Sequence, residues 1–327
     1  MKQRFLSIFL ALTLVLSLCG CDREADAPQL PQEVTEPSST PVTEEKPALF
    51  VGDASSAAFR VTFLDVGQGD AALVECDGEY MLIDAGTKSS GEKIRDFLLR
   101  KEVYTLKYLV ISHMHNDHYG GILGNALQNV MVKQILCNTD PFSKEKMREK
   151  LGDCHYTIPQ LSPDPNDHQY TLGSAKIHVL YTAAEKENDS LVLLIRYQDT
   201  SFLFTGDIEG KAQSEVAEKL RLMSETLDGN ENVIKMPHHG AYNSDTKLPS
   251  NTSDNSLNAL LSADHASYFV ISVGKNNQHN HPHDKTLEII EQALRDCEDG
   301  RRLLRTDECG DIVMTSDGKN ITISKGK

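Results

Sequence analysis

The sequence lacks any apolar run of about 20 residues, the length a membrane-spanning helix needs, which excludes a channel or a transporter. It is short of basic residues, with 33 Lys and Arg against 48 Asp and Glu and a formal charge of −15. A protein that wraps a long stretch of duplex needs the opposite balance on at least one face, because its affinity comes from neutralising phosphates. The seven cysteines (19, 21, 76, 137, 154, 297 and 309) include no CxxC pair, which excludes a cysteine-rich zinc framework. Two short loops, Cys137 to Cys154 and Cys297 to Cys309, are candidates for disulfides if the chain is exported. There is no GxSxG turn and no other convincing nucleophile, which disfavours covalent catalysis. No internal repeat is found. With 39% hydrophobic and 25% charged residues, the remainder has the composition of an ordinary globular fold.

The N-terminus reads as an export address. Lys2 and Arg4 precede a short greasy run from Phe5 to Leu18, and the run ends in Leu18-Cys19-Gly20-Cys21. This resembles the bacterial lipoprotein box. It implies a signal peptide over 1–20, a lipid on Cys21, and an extracytoplasmic chain held at the cell membrane by that lipid alone. Residues 21–58 then turn to Pro, Glu, Thr and Ser with almost no large apolar side chain, the composition of a disordered stalk. A single folded domain is expected over 59–327.

That domain opens with three consecutive strands, at Phe59 to Phe63, Ala71 to Cys76 and Tyr80 to Ile83, broken at glycines. Later apolar runs, among them Leu191 to Tyr197 and Ser201 to Thr205, are continuous rather than alternating, as strands covered on both faces should be. Helical spacing recurs at Ala212, Val216 and Leu220 and at Leu287, Ile290 and Leu294. Residues 138–171, with four prolines, read as an insertion with little regular structure. The tail from Leu303 to Ser324 reads as hairpins turning near Gly310 and at Asp317-Gly318.

The histidines are not scattered. Eight of twelve fall in three short clusters, His113, His115 and His118, then His238 and His239, then His279, His281 and His283. Each cluster follows an apolar strand, and so does Asp207, so four strand ends can deliver ligands to one rim. In His113-Met114-His115-Asn116-Asp117-His118, two imidazoles two residues apart can face one metal while the adjacent Asp and His face another.

The HxHxDH loop, with Asp84-Ala85-Gly86 before it and Thr205-Gly206-Asp207 after it, resembles the metallo-β-lactamase-fold hydrolases. Phe63-Leu64-Asp65-Val66-Gly67-Gln68-Gly69-Asp70, Pro237-His238-His239-Gly240 and His281-Pro282-His283 resemble more narrowly the hydrolase domain of the ComEC/Rec2 competence proteins. The resemblance runs from about Phe59 to Ile323. It implies an α/β fold of the αββα sandwich type, with two divalent ions, Zn²⁺ or Mn²⁺, between the loop ends.

By that resemblance His113 and His115 hold one metal, Asp117 and His118 the other, Asp207 bridges them, and His281 completes the second site, with His239 or His283 as the substitute. Asp84 orients a ligand from behind. The superfamily usually adds a third histidine to the first metal, and the matching place here reads Glu187-Asn188-Asp189-Ser190. Asn188 and Ser190 are therefore expected beside the metals rather than on them, and the first site is expected to be weaker, completed by water, or filled by Mn²⁺.

The expected function is hydrolysis of phosphodiesters, of DNA or nucleotide type, by a water activated between the metals, with Asp117, His238 and His239 as catalytic residues. The alternatives are a cell-envelope phosphodiesterase of phosphorylcholine-esterase type and a non-catalytic metal-binding lipoprotein. The expected partners are the phosphodiester substrate and the membrane, through the lipid only, and no protein partner is inferred.

Overall fold

Side chains alternate across a strand, so a strand that is apolar at every position must be covered on both sides. Strand β1 (Phe59–Phe63) is followed by β2 (Ala72–Cys76), β3 (Glu79–Ile83), α1 (Gly91–Arg100), β4 (Thr105–Ile111), α2 (Asn116–Leu123) and β5 (Met131–Cys137). Next come α3 (Glu145–Leu151), β6 (Tyr156–Thr157), β7 (Tyr170–Leu172), β8 (Ala175–Tyr181), β9 (Val192–Tyr197), β10 (Thr200–Phe204), α4 (Gly210–Leu222) and β11 (Glu231–Lys235). The chain ends with α5 (Thr252–Asp264), β12 (Tyr268–Ile271), α6 (Asp284–Arg295), β13 (Arg302–Arg305), α7 (Thr306–Cys309), β14 (Ile312–Ser316) and β15 (Ile321–Lys325). The computed structural model describes residues 58–327 apart from 153, 187, 224–226, 228–229, 243–251 and 296–301. All of these lie in one compact unit, residues 53–327. The expected signal peptide, Cys21, nearly all of the expected stalk, and Cys297 lie outside the described residues.

The strands form two mixed sheets, one in the order β15-β14-β1-β2-β3-β4-β5-β6 and one in the order β13-β12-β11-β10-β9-β8-β7. One face of each strand packs between the sheets, with Phe59, Val61, Phe63, Met81 and Val110 from the first sheet meeting Leu193, Ile195, Phe202 and Phe204 from the second. Phe59 stacks on Tyr197 at 5.1 Å, and Phe63 stacks on Phe204 at 5.7 Å. Such pairs contribute roughly 0.5–1.5 kcal/mol each beyond their burial.

The opposite faces are covered by helices. Leu82, Leu109 and Ile111 pack with Ile94 and Leu98 of α1 and Ile122 of α2. Leu194, Leu203 and Ile234 pack with Val216 and Leu220 of α4, Leu260 of α5 and Ile290 of α6. The result is the αββα sandwich. It accounts for the continuous apolar runs, because residues i and i+1 of one strand belong to different cores.

Three expectations differ from the structure. The segment 138–171 carries α3, which buries Met147 and Leu151, and β6, which extends the first sheet. The tail forms one hairpin, β14 to β15, turning at Gly318 with φ +99°, while β13 joins the other sheet. Cys137 and Cys154 are free thiols, so the disulfide considered between them does not form, and the Cys297–Cys309 pairing lies outside the described residues. Burial pushes the Cys137 thiol up to about 12, which leaves it inert.

Candidate metal centre

Six loops meet at one end of the sandwich. Asp70 comes from the loop after β1, Asp84 from the end of β3, and His113 to His118 from the end of β4 and the start of α2. Asp207 follows β10, His238 and His239 follow β11, and His279 to His283 follow β12. The approach is close enough to constrain the loops. A Cβ on Gly69 would lie 2.5 Å from the Asp117 carbonyl oxygen, and one on Gly240 would lie 2.7 Å from Pro282. Asp84, His238 and His239 take left-handed backbone at φ +56°, +48° and +54°, an uncommon conformation for these residues that the packed loops impose.

Donor atoms converge in three groups, each spanning less than 4.8 Å: Asp117, His118, Asp207 and His239; His113, His115 and Asp207; and Asp70, Asp84 and His118. In the first, His118 Nε2 is 3.2 Å from Asp207 Oδ2, and His239 Nε2 is 3.1 Å from Asp117 Oδ2 and 4.0 Å from Asp207 Oδ2. In the second, His113 Nε2 is 3.7 Å from Asp207 Oδ2 and 2.8 Å from His115 Nδ1. His118 Nε2 and Asp207 Oδ1 are fully buried without a hydrogen-bond partner. Buried polar atoms are rarely left so, and donors that face one another without satisfying one another fit a shared cation. Imidazole with carboxylate suits Zn²⁺ and Mn²⁺.

A further layer fixes these rings. Asp84 accepts from the Ser112 amide at 2.8 Å and the Ser112 hydroxyl at 2.7 Å, and its Oδ2 meets His118 Nδ1 at 2.8 Å. His118 therefore donates through Nδ1 and turns Nε2 toward Asp207, the arrangement expected behind a metal-binding histidine. His239 donates through Nδ1 to the Ser272 carbonyl at 2.9 Å, with Asp70 Oδ1 at 3.2 Å from the same nitrogen. Ser190 Oγ accepts from the Asp207 amide at 2.9 Å and lies 3.3 Å from His113 Nδ1. Asn188 donates to Glu209 at 2.6 Å, and the same Glu209 oxygen meets His238 Nδ1 at 2.6 Å.

The centre opens into a cleft of about 740 Å³ lined by Lys88, Asn188, His238, Asn276, Asn277 and His281, among others. Here the structure departs from the expectation for the second group, which takes His239 and not His281. His281 stands on the cleft rim, its ring 6.3 Å from that of His239 and its Nδ1 3.3 Å from the Gln68 amide. His283 faces the Tyr242 amide and the His279 carbonyl instead of the centre. Among the described residues no third histidine joins the His113 group, and His178, in β8, faces the carbonyls of Pro165 and Asp167.

Three participants were not singled out from the sequence. Asp70 is buried, with burial opposing its ionisation but Lys235 and His239 holding it down at about 2. Lys235, 3% exposed, pairs with Asp70. Glu209 backs His238.

The charges have a consequence for metal uptake. Burial works against a protonated His239, but the Asp70 and Asp207 carboxylates overcome it and hold the imidazolium up to about 9. Burial likewise opposes charge on His118, and Asp207 and Asp84 outweigh it, raising that ring well above the ordinary histidine range. His239 is thus protonated at pH 7 in the metal-free chain and must lose a proton to bind a cation, and the carboxylates around His118 push that ring the same way. Uptake is expected to release at least one proton per chain at pH 7, and affinity is expected to fall as pH drops. Calorimetric titration in buffers of different ionisation enthalpy checks this, and uptake without proton release would contradict it.

Residues 64–248 match the metallo-beta-lactamase superfamily. The chain is 27% identical over 288 residues to ComE operon protein 3 of Bacillus subtilis (strain 168), covering 81% of this chain and 34% of that protein. It is 26% identical over 240 residues to Recombination protein 2 of Haemophilus influenzae, covering 72% of this chain and 27% of that protein. It thus spans about a third of the length of these curated relatives. Among solved structures, the metallo-beta-lactamase fold protein YhfI of Bacillus subtilis is 12% identical with a TM-score of 0.48, over 81% of this chain and 100% of that one. With the αββα sandwich and a His/Asp cluster able to hold metal ions at its loop end, this chain belongs to the metallo-beta-lactamase superfamily, whose members are generally metal-dependent hydrolases, and within it resembles the ComEC/Rec2 proteins.

Proposed function

We propose that the chain is a phosphodiesterase working with two divalent ions, Zn²⁺ or Mn²⁺. The observation that carries this reading is the position of Asp207, whose Oδ2 faces both His118 Nε2 and His113 Nε2. His113 and His115 would hold one ion with Asp207, and Asp117, His118 and His239 the other, with Asp207 common to both. When bound, the ions supply an activated water near neutral pH and neutralise charge developing on the attacked phosphorus.

The chain's own groups do the rest. Asp84 and the Ser272 carbonyl hold the rings of His118 and His239, and Ser190 braces His113 and Asp207. His238 lines the cleft with its Nδ1 tied to Glu209, a posture suited to passing a proton to the leaving oxygen. Lys88 and the amides of Asn116, Asn276 and Gln278 line the cleft where they can offer hydrogen bonds to phosphate and sugar oxygens, while the Asn277 amide is tied to the Gly274 and His281 carbonyls and braces the loop.

Among the described residues lining the cleft, none is Phe or Tyr. A quaternary ammonium group is usually held by aromatic faces, so this lining supports a nucleotide or DNA phosphodiester over a phosphorylcholine ester. The likeness to a protein named for recombination supports the same choice. Purified chain assayed with added Zn²⁺ or Mn²⁺ against bis-p-nitrophenyl phosphate, single-stranded DNA, phosphorylcholine esters and nitrocefin is expected to cleave the first two. Hydrolysis confined to nitrocefin or the choline esters would overturn the assignment.

His238→Ala is expected to lower kcat by roughly 10²- to 10⁴-fold, the range for a lost proton-transfer group, with metal content unchanged. Loss of a metal ion instead would make His238 a ligand. We also propose that the protein is displayed outside the cytoplasmic membrane on a lipid at Cys21. Cys21→Ala is expected to release it into the medium or leave it unprocessed, and unchanged mass and membrane fractionation would contradict the anchor.

A further inference from the structure

The third group of donor atoms, Asp70, Asp84 and His118, lies on the far side of His118 from Asp207 and is entirely buried. Three such donors resemble the start of another metal site. Its Asp70 already has a cation, however, because Lys235, at the end of β11, sends its ammonium group between the sheets to pair with Asp70 Oδ2. The Asp70 oxygen on the other side, Oδ1, lies 3.2 Å from His239 Nδ1. The backbone of Asp70 is fixed as well, its amide donating to the Asp117 carbonyl at 3.1 Å and its carbonyl accepting from Gly86 at 2.7 Å. Asp70 therefore spans the distance between a buried ammonium and the ring that faces Asp117 and Asp207.

We propose that Lys235 is a positioning residue of the metal centre: paired with Asp70 Oδ2, it fixes the carboxylate whose other oxygen lies beside His239 Nδ1, and so helps hold His239 in the orientation that binds the second metal. Two observations separate this from an ordinary buried ion pair. Lys235 sits beneath the site, and the same small cavity is lined by Asp70, Asp84, Ser112 and Ser272, each of which touches a histidine of the centre or, for Ser272, supplies the carbonyl that holds His239. A buried ammonium also needs a carboxylate, and the other oxygen of this one lies 3.2 Å from the nitrogen that His239 donates to Ser272, so a single residue stands between the charge of Lys235 and the ligand. The inference rests on the two-metal reading and adds a residue to it.

The experiment is chelator competition for Zn²⁺ on the full chain, comparing wild type with Asp70→Asn, Lys235→Met and the double variant. The double variant replaces a buried ion pair by neutral groups of similar size, which folds tolerate, so it keeps the test open if Lys235→Met alone does not fold. Wild type is expected to hold two ions. Each folded variant is expected to bind one of them roughly 10- to 100-fold more weakly and the other normally, as for lost partners behind a metal ligand. The double variant should lose no more than the single ones, and melting of its metal-free form should stay near that of wild type. A double variant that binds both ions with wild-type affinity would overturn the inference while leaving the two-metal reading intact. Uptake of a third ion by Lys235→Met would also overturn it, since the third group would then be a metal site the lysine merely blocks. Wild type that binds fewer than two ions would overturn both.

Discussion

Asp207→Ala is expected to yield a folded chain with no measurable hydrolysis and with less bound metal. Asp207 belongs to the two donor groups that face the cleft, and its Oδ2 lies within 4.0 Å of nitrogens on His113, His118, His238 and His239. Losing a partner behind a ligand typically costs 10–100-fold in metal affinity or activity, and losing the shared carboxylate should exceed that, by about 10³-fold or more in turnover. The fold should survive, because the Asp207 amide still donates to Ser190 Oγ and β10 remains paired on both sides. Metal analysis, turnover and thermal unfolding of the metal-free variant check the three parts separately. Unaltered metal content together with unaltered turnover would rule out Asp207 as a bridge.

The second large effect separates two histidines that both follow strands. His239→Ala is expected to lose one metal ion and nearly all activity, whereas His281→Ala is expected to keep both ions and to change mainly KM. The reason is geometric. His239 is 1% exposed, with Nδ1 committed to Ser272 and Nε2 3.1 Å from Asp117. His281 is half-buried on the cleft rim, where burial and the neighbouring imidazoles of His238 and His239 pull it down to about 3, so it meets substrate as a neutral ring. If His281→Ala strips an ion while His239→Ala does not, the ligand assignment is reversed.

These two histidines also show how far the sequence could be read. Residue types that are rare in clusters were legible, because eight histidines and an aspartate placed after apolar runs have few structural explanations. The layered fold was legible for a similar reason, since unbroken runs such as Leu191 to Tyr197 demand cover on both faces, and the two cores supply it. The choice between His239 and His281 was not legible, because it depends on where β11 and β12 end relative to one another and on two consecutive left-handed residues.

Asp70 and Lys235 escaped for the opposite reason from the histidines. An aspartate in a glycine-rich loop reads as turn chemistry, and a lysine closing a strand reads as a solvated end. Only the parallel pairing of β11 between β10 and β12 turns that lysine inward. Likewise α3 and β6 are too short for periodicity to register, and they are held by burial of Met147 and Leu151 and by pairing of Tyr156 with Ile135.

In the proposed centre one carboxylate, Asp207, joins two metal positions. Electron paramagnetic resonance of the chain titrated with Mn²⁺ tests it most directly, because ions sharing a carboxylate couple magnetically and ions at separate sites do not. A spin-coupled signal is expected to grow in as the second ion binds and to be absent in Asp207→Ala. An uncoupled signal at full loading, from wild type and variant alike, would contradict it.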